Sequence, residues 1–281
     1  MELITSIPAL KERVAAWSQE GLTIGLVPSM GALHEGHMSL MRKARETCDK
    51  VVVSVFVNPL QFGPNEDYEA YPRMLDHDTA VCEGEGVDVV FHPSVEEMYP
   101  PHHNTYVVME TLTDTLCGAS RPGHFRGVCT VVTKLFNLVE PNYAFFGEKD
   151  AQQLAIIRRM VADLNMNVKV VGCPIVRESD GLAKSSRNAY LSKEERQAAL
   201  VLSRSLTAAR EALAAGERST ERLVGVIEDV IAKEPLAHID YVSVVEGETL
   251  QPVPQVDTSV LVAIAVYIGK TRLIDNFFFE A

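Results

Sequence analysis

Short Val- and Ile-rich runs alternating with helix-length amphipathic segments as far as about residue 171, then two long helices and three strand-like runs after Ser192, predict an α/β protein. The expected architecture is a Rossmann-like, doubly wound parallel sheet over residues 1–180. A smaller α+β domain over 181–281 follows it, the boundary lying near 175–190. At about 150 residues per domain, 281 residues suffice for two cores.

The opening MELITSIPALKERVAAW carries Glu2, Lys11, Glu12 and Arg13, and reads as an amphipathic helix rather than a targeting segment. Leu22–Pro28 reads as a strand, His37–Cys48 as a helix, Lys50–Val57 as a strand, Met74–Gly84 as a helix and Val87–Phe91 as a strand. An irregular Pro100–Asn104 loop and an extended Tyr106–Met109 come next. A helix Val128–Val139, a strand Tyr143–Phe146, a helix Gln152–Leu164 and a strand Val168–Val171 complete the first part. Ser192 with Glu195 forms a capping box that opens one long helix to about Ala215, ended by Gly216. Ser219 opens another to about Lys233. His238–Val245, Val260–Ile268 and Thr271–Asp275 then suggest a small antiparallel sheet, with Phe277, Phe278 and Phe279 packing it.

With 26 Lys and Arg against 38 Asp and Glu, the net charge is −12, and acids outnumber bases in both halves. Nucleic acid and anionic membranes are met by basic faces, so neither is an expected partner. The longest apolar run, Val260–Ile268, is about half of a membrane span. Five scattered cysteines without a C-x-x-C pair argue against a disulfide framework or a cysteine zinc site, and point to a reducing cytoplasm. No G-x-S-x-G elbow or G-x-x-x-x-G-K-[ST] loop is present.

Three constellations carry chemistry. The first is Met30-Gly31-Ala32-Leu33-His34-Glu35-Gly36-His37, between a strand and a helix, where anions bind in parallel α/β sheets. Two imidazoles three residues apart can both face a phosphate there, and the glycines allow close approach of the backbone. A metal pair fits less well, because the spacing is not H-E-x-x-H. The second is Gly147-Glu148-Lys149-Asp150, followed by Gln152 and Gln153, which could bind phosphate and a ribose or metal, or simply form a polar turn capped by Asp150. The third is Lys184-Ser185-Ser186-Arg187 at the proposed domain boundary, two hydroxyls flanked by cations in a compact anion clamp.

His34-Glu35-Gly36-His37 and Lys184-Ser185-Ser186-Arg187 resemble the HIGH-type and KMSKS-type motifs of a nucleotidyltransferase superfamily, although the second lacks a Met after Lys and has Ser-Ser for Ser-Lys. VPSMGALHEGH, SVFVNPLQFGPNEDYEAYPR, RPGHFRGVCTVVTKLFNLVEPNYAFFGEKDAQQ and AKSSRN resemble the pantothenate synthetase (pantoate–β-alanine ligase) family, densely over residues 27–188 and by length and type beyond. The resemblance implies ATP-dependent joining of pantoate to β-alanine through pantoyl adenylate, with release of AMP and pyrophosphate. It places His34 and His37 on the phosphates, His37 as proton donor, and makes Lys149 and Arg187 catalytic as well. Lys184, Ser185, Ser186 and Arg187 would clamp the β- and γ-phosphates. Met30 and its neighbours to His37 would line the nucleotide site, while Gly147, Glu148, Lys149, Asp150 and Val176 hold ribose and adenine. Gln61 and Gln153 would grip pantoate and meet β-alanine. Mg²⁺ would accompany the triphosphate, with protein ligands the sequence does not identify.

The family implies a homodimer, and a smaller domain that closes over the ATP site. The cations and imidazoles are expected to converge on one cleft in an otherwise acidic protein. Arg121, His124 and Arg126, in a Gly/Pro loop, suit anion binding or pairing with surface acids. His102 and His103 are expected to be exposed, and Cys117 and Cys129 lack a nearby His to make a thiolate. Another nucleotidyltransferase of the superfamily, or a non-catalytic nucleotide binder, stays open as an alternative.

Overall fold

A computed structural model describes residues 1–64 and 66–280. The chain forms two compact units: residues 1–110, 121–148 and 153–174, and residues 111–120, 149–152 and 175–281. Residues 111–120, 149–152 and 175–180 of the first 180 thus group with the C-terminal part.

The first unit contains β1 (Glu2–Ile4), α1 (Ile7–Gln19), β2 (Ile24–Ser29), α2 (Glu35–Thr47), β3 (Lys50–Val55), α3 (Leu75–Gly84), β4 (Val89–Phe91) and α4 (Val95–Met98). A short α5 (Leu116–Ser120) belongs to the second unit. The first resumes with α6 (His124–Val139), β5 (Tyr143–Gly147), α7 (Ala151–Asp163, its first two residues grouped with the second unit) and β6 (Lys169–Cys173). The six strands are all parallel, in the order β1-β4-β3-β2-β5-β6. Strand order reverses at β2, which has β3 on one side and β5 on the other. That reversal leaves a crevice beyond the strand ends, where α/β sheets bind ligands.

Helices on both faces bury most of β2, β3, β4 and β5, which is why they read as continuous apolar runs rather than alternating ones. Leu26, Val27, Val52, Val53, Val89, Val90 and Phe145 are fully buried, each worth roughly 1.5–3 kcal/mol in transfer terms. The Asn142 side chain accepts the N–H of Ile24 at 2.7 Å, tying the start of β2 to the segment that enters β5.

The second unit holds α8 (Lys193–Ala198), α9 (Leu200–Ala214), α10 (Thr220–Ile231), β7 (Ala237–Glu246), β8 (Val260–Ile268) and β9 (Thr271–Phe279). The strands form an antiparallel sheet with β8 central. Leu202, Leu206, Ala209 and Leu213 of α9 and Leu223, Ile227 and Ile231 of α10 recur every three or four positions, and cover the sheet face formed by Val260, Val262, Ile264, Val266 and Ile268. The Ser192 capping box is present: Ser192 Oγ accepts the Glu195 N–H, and Glu195 Oε2 accepts the Ser192 N–H.

Several boundaries differ from the sequence expectations. The N-terminal segment opens with a three-residue edge strand that pairs with β4 before its helix begins. The helix expected from Val128 starts a turn earlier, at His124, because Gly123 takes a left-handed conformation at its N-cap. His124 and Arg126 are therefore helical, not in a loop. The segment expected as one helix to Ala215 breaks into α8 and α9 at Ala199. Tyr106–Met109 pairs with no described strand; the Val107 N–H goes to Thr130 Oγ1 instead. The last strand continues past Asp275, since Leu273, Asp275 and Phe277 all face inward. Phe277 is buried but Phe278 is exposed. His102 is exposed, while His103 is half-buried between the rings of Tyr99 and Tyr106.

Ile264, wholly buried in β8, marks the core of the second unit. Ile264→Ala should destabilise the protein by about 3 kcal/mol in urea unfolding, and a loss below about 1 kcal/mol would show that the unit does not rest on this core.

Candidate active site

The turn after β2 is built from backbone that only certain residues tolerate. Gly31 (φ +87°) and Ala32 (φ +51°) are successive left-handed residues. A side chain at Gly31 would run into the Asp78 carboxylate and Val55. Asp78, on α3 and 1% exposed, accepts the Ala32 N–H at 3.0 Å and the Leu33 N–H at 2.8 Å, one on each oxygen. Two successive N–H groups in such a turn make an anion-binding nest, and here the protein's own carboxylate fills it.

His34 is the N-cap of α2 and His37 its N3 residue, so His37 lies inside the helix rather than before it. Their side chains form a reciprocal capping box: His34 Nδ1 accepts the Gly36 N–H at 3.1 Å, and His37 Nδ1 accepts the His34 N–H at 3.3 Å. With each Nδ1 acting as acceptor, the proton of each neutral ring sits on Nε2. The rings are half-buried with centroids 4.2 Å apart. The sequence motif thus yields two Nε2–H donors at a helix N-terminus, where the backbone already favours anions.

Beside this turn, Gln61 is buried in a 3₁₀ turn over Pro59–Gln61. Its amide donates to Met30 Sδ at 3.1 Å, and its Oε1 accepts from Asn58 Nδ2 at 3.0 Å. Asn58 is in turn held by the Gly127 carbonyl (3.1 Å) and by the Tyr99 hydroxyl (2.8 Å), whose proton is retained because burial pushes the phenol well up. A Cβ at Gly127 would collide with the backbone of Leu60 and Gln61, so only glycine lets α6 approach this closely. Gln153 is half-buried on α7, and its side chain hydrogen-bonds to no described residue.

Arg121 and His124 also belong here. Arg121 makes a bidentate pair with Glu66, both contacts 2.6 Å. His124 Nδ1 lies 2.8 Å from the Gln61 carbonyl, and Arg121 Nη1 lies 3.2 Å from His124 Nε2. Burial alone would raise the Glu66 carboxyl, but the Arg121 guanidinium holds it below the usual range. Arg126 instead lies over the Tyr106 ring at 4.6 Å.

Of the second constellation, Gly147 ends β5 and Glu148 begins a 3₁₀ turn in the first unit. In the second unit, Lys149 is half-buried and its carbonyl accepts from Asn276 Nδ2 at 2.8 Å; Asp150 is exposed. Gln152 is structural: it is buried, donates to the carbonyls of Leu112 and Thr115, and accepts the Gly118 N–H.

The third constellation sits on a narrow hairpin, in which the Lys184 N–H bonds the Val176 carbonyl and Arg177 bridges Ala183. Arg177 pairs bidentately with Asp275 of β9 at 2.7 and 2.8 Å, and also holds the Gly181 carbonyl. Lys184 pairs with Glu178 at 2.8 Å. Ser185 Oγ caps the 3₁₀ turn of Ser186–Tyr190, so Ser186 and Arg187 occupy its first two positions. Ser185 lines a small pocket with Lys149, Asn188 and Asp275.

The sequence reading missed Asp78, Asp275 and Arg177, which are paired with residues remote in sequence. The described cysteines are all unpaired and buried, and burial pushes the thiols of Cys48 and Cys173 up to about 11 and those of Cys82 and Cys129 up to about 12, which removes their nucleophilicity. Among the described residues no group of three His, Cys, Asp or Glu is placed to hold a metal, and no helix is long and apolar enough to cross a membrane.

A parallel sheet whose order reverses at β2, with a helix N-terminus at that strand's end, defines an α/β protein with its ligand crevice at that point. The family model described as Pantoate-beta-alanine ligase matches residues 2–278, and the chain belongs to that family. Pantothenate synthetase of Clostridium botulinum (strain Loch Maree / Type A3) is 56% identical over 280 residues, all of each chain being covered. That of Heliobacterium modesticaldum is 61% identical over 284 residues, again with full coverage. The crystal structure of pantothenate synthetase from Thermus thermophilus aligns with a TM-score of 0.93 at 47% identity, over 99% of both chains. Pantoate-beta-alanine ligase from Francisella tularensis, crystallised with beta-gamma ATP and beta-alanine, aligns with a TM-score of 0.80 at 35% identity, over 99% of this chain and 97% of that one.

Because Arg121 lowers the pKa of Glu66, their pairing stabilises the fold above the ordinary glutamate pKa of about 4.3, and that contribution disappears as the pH falls through the lowered value. Glu66→Gln should therefore be less stable than the parent near neutral pH, with the gap closing in acid. An equal gap near neutrality and at about pH 3 would contradict the assignment.

Proposed function

We propose that this chain condenses pantoate with β-alanine, using ATP, by way of pantoyl adenylate. Family membership over residues 2–278 carries the reading, and the paired Nε2–H donors at the end of β2 supply its chemistry. In the first step a pantoate carboxylate oxygen attacks the α-phosphorus and the bond to pyrophosphate breaks. In the second, the β-alanine nitrogen attacks the acyl carbon, the bond to AMP breaks, and the nitrogen loses a proton to form the amide.

Displacement at phosphorus builds charge on the phosphoryl oxygens and on the leaving pyrophosphate, so fixed donors there lower the barrier. His34 and His37 present such donors through Nε2. His37, on the first turn of α2, gives the phosphate a hydrogen bond from its neutral ring in this reading, rather than transferring the proton. Lys184, Ser185, Ser186 and Arg187 take the β- and γ-phosphates, Arg187 and Lys149 countering the charge that develops. The Met30–Leu33 turn, Glu35 and Gly36 at the start of α2, Gly147–Asp150 and Val176 bind the nucleotide. Gln61, pre-set by Asn58, and Gln153 orient pantoate by neutral hydrogen bonds, which avoid the repulsion a carboxylate side chain would bring.

Mg²⁺ enters this scheme as the counter-ion of the triphosphate, without a ready-made protein cage among the described residues and with no step routed through it. The C-terminal unit, residues 181–281 in the sequence reading, is proposed to close over the bound nucleotide. A homodimer, expected from the sequence resemblance, and a cytoplasmic location, in keeping with the unpaired cysteines, complete the proposal.

Pantoate should drive exchange of labelled pyrophosphate into ATP without β-alanine, and the full reaction should yield AMP; formation of ADP alone would refute the mechanism. His37→Ala should slow exchange by about 10²-fold while ATP binding, followed by calorimetry, persists. An unchanged rate would make the protein a nucleotide binder in which this histidine does no chemistry.

A further inference from the structure

We infer that His77 and Asp78, consecutive residues of α3, are positioning residues that set the tautomer of His37. The inference rests on the reading of His37 as a donor to phosphate.

One peptide unit links these two residues to His37. The peptide joining Leu33 to His34 is trans, so its C=O and N–H point in opposite directions and orienting one orients the other. His77 Nε2 lies 3.1 Å from the Leu33 carbonyl oxygen; a carbonyl has no proton to give, so the ring nitrogen donates. On the other side of the same residue, the Leu33 N–H ends on Asp78 Oδ1 at 2.8 Å. Leu33 is thus gripped by both of its backbone polar groups from adjacent residues of one helix. The His34 N–H that leaves this peptide is the one His37 Nδ1 accepts. While that bond holds, Nδ1 cannot carry the proton of the neutral ring and Nε2 must. Asp78 adds a second constraint, because its Oδ2 accepts the N–H of Ala32, a non-glycine residue kept at φ +51°. An asparagine at 78 would turn an amide N–H toward one of these two donors.

The two residues differ in exposure, which separates their tests. Asp78 is 1% exposed, and replacing it risks the fold; His77 is exposed on the surface of α3, and its replacement does not. The experiment is ¹⁵N NMR of the imidazole rings in the substrate-free protein above the histidine pKa, for the parent, His77→Ala, His77→Gln and Asp78→Asn, alongside pantoate-dependent pyrophosphate exchange. The parent should show His37 protonated at Nε2 alone. His77→Ala should show a mixture of Nε2–H and Nδ1–H forms, with the exchange turnover down about tenfold and the KM for ATP within about twofold. His77→Gln, which keeps a donor N–H, should recover part of both. Persistence of the single Nε2–H form in His77→Ala overturns the proposal, whether or not turnover falls. Failure of the parent to exchange pyrophosphate would instead defeat the functional reading, while the tautomer measurement would still decide the positioning role.

Discussion

A carboxylate buried under a left-handed turn is the constraint on which the turn after β2 and the start of α2 depend. Asp78 is taken out of water by the packing of α3, and its charge is met by the N–H groups of Ala32 and Leu33. Burying it without those partners would cost several kcal/mol, and leaving the two N–H groups unpaired would add to that, so carboxylate and turn stabilise each other. Gly31 is required because a side chain would occupy the space of the carboxylate. Once the turn is set, α2 starts at Glu35 with its cap made from imidazoles rather than from a serine or aspartate. An aspartate there would satisfy the same backbone donors but would repel a phosphate; histidine satisfies them through Nδ1 and keeps its proton on Nε2.

The second unit uses a related device. Asp275 of β9 is almost fully buried, and its charge is answered by a bidentate Arg177 that also holds the Gly181 carbonyl. The strand thereby anchors the hairpin that carries Lys184 to Arg187. Its neighbour Asn276 reaches the Lys149 carbonyl, so consecutive residues of β9 brace two of the three constellations. Breaking such a pair from one side leaves a buried charge without a partner, a loss of about 3–5 kcal/mol, far beyond what the solvent-accessible Lys184 and Glu178 pair contributes.

Much of this was legible in the sequence, and the limits are physical. Strands buried on both faces announce themselves as Val and Ile runs, and the Ser192 capping box follows from local chemistry, so the parallel sheet and the helical entry to the second unit could be read directly. The His34 to His37 spacing pointed to two imidazoles at a strand-to-helix turn but not to their tautomer, which depends on backbone angles no pattern reports. Glu2–Ile4 escaped because three residues carry no period. The α8 to α9 break at Ala199 escaped because neither Gly nor Pro marks it. Asp78 reads from sequence as an acidic residue in a helix's first turn, and Asp275 as the end of a strand; only the fold shows that each is paired across 45 residues or more. The net charge of −12 sums the whole chain and does not report the oriented N–H donors held in its short turns.

The central claim is that phosphate meets the Nε2 side of the His34 and His37 pair, and not the backbone nest beneath it, which Asp78 already fills. A crystal structure of the protein with a non-hydrolysable ATP analogue tests this directly. The account predicts phosphate oxygens about 3 Å from the Nε2 atoms, with Asp78 still bonded to Ala32 and Leu33. Phosphate seated on the Ala32 and Leu33 N–H groups, with Asp78 displaced, would contradict it.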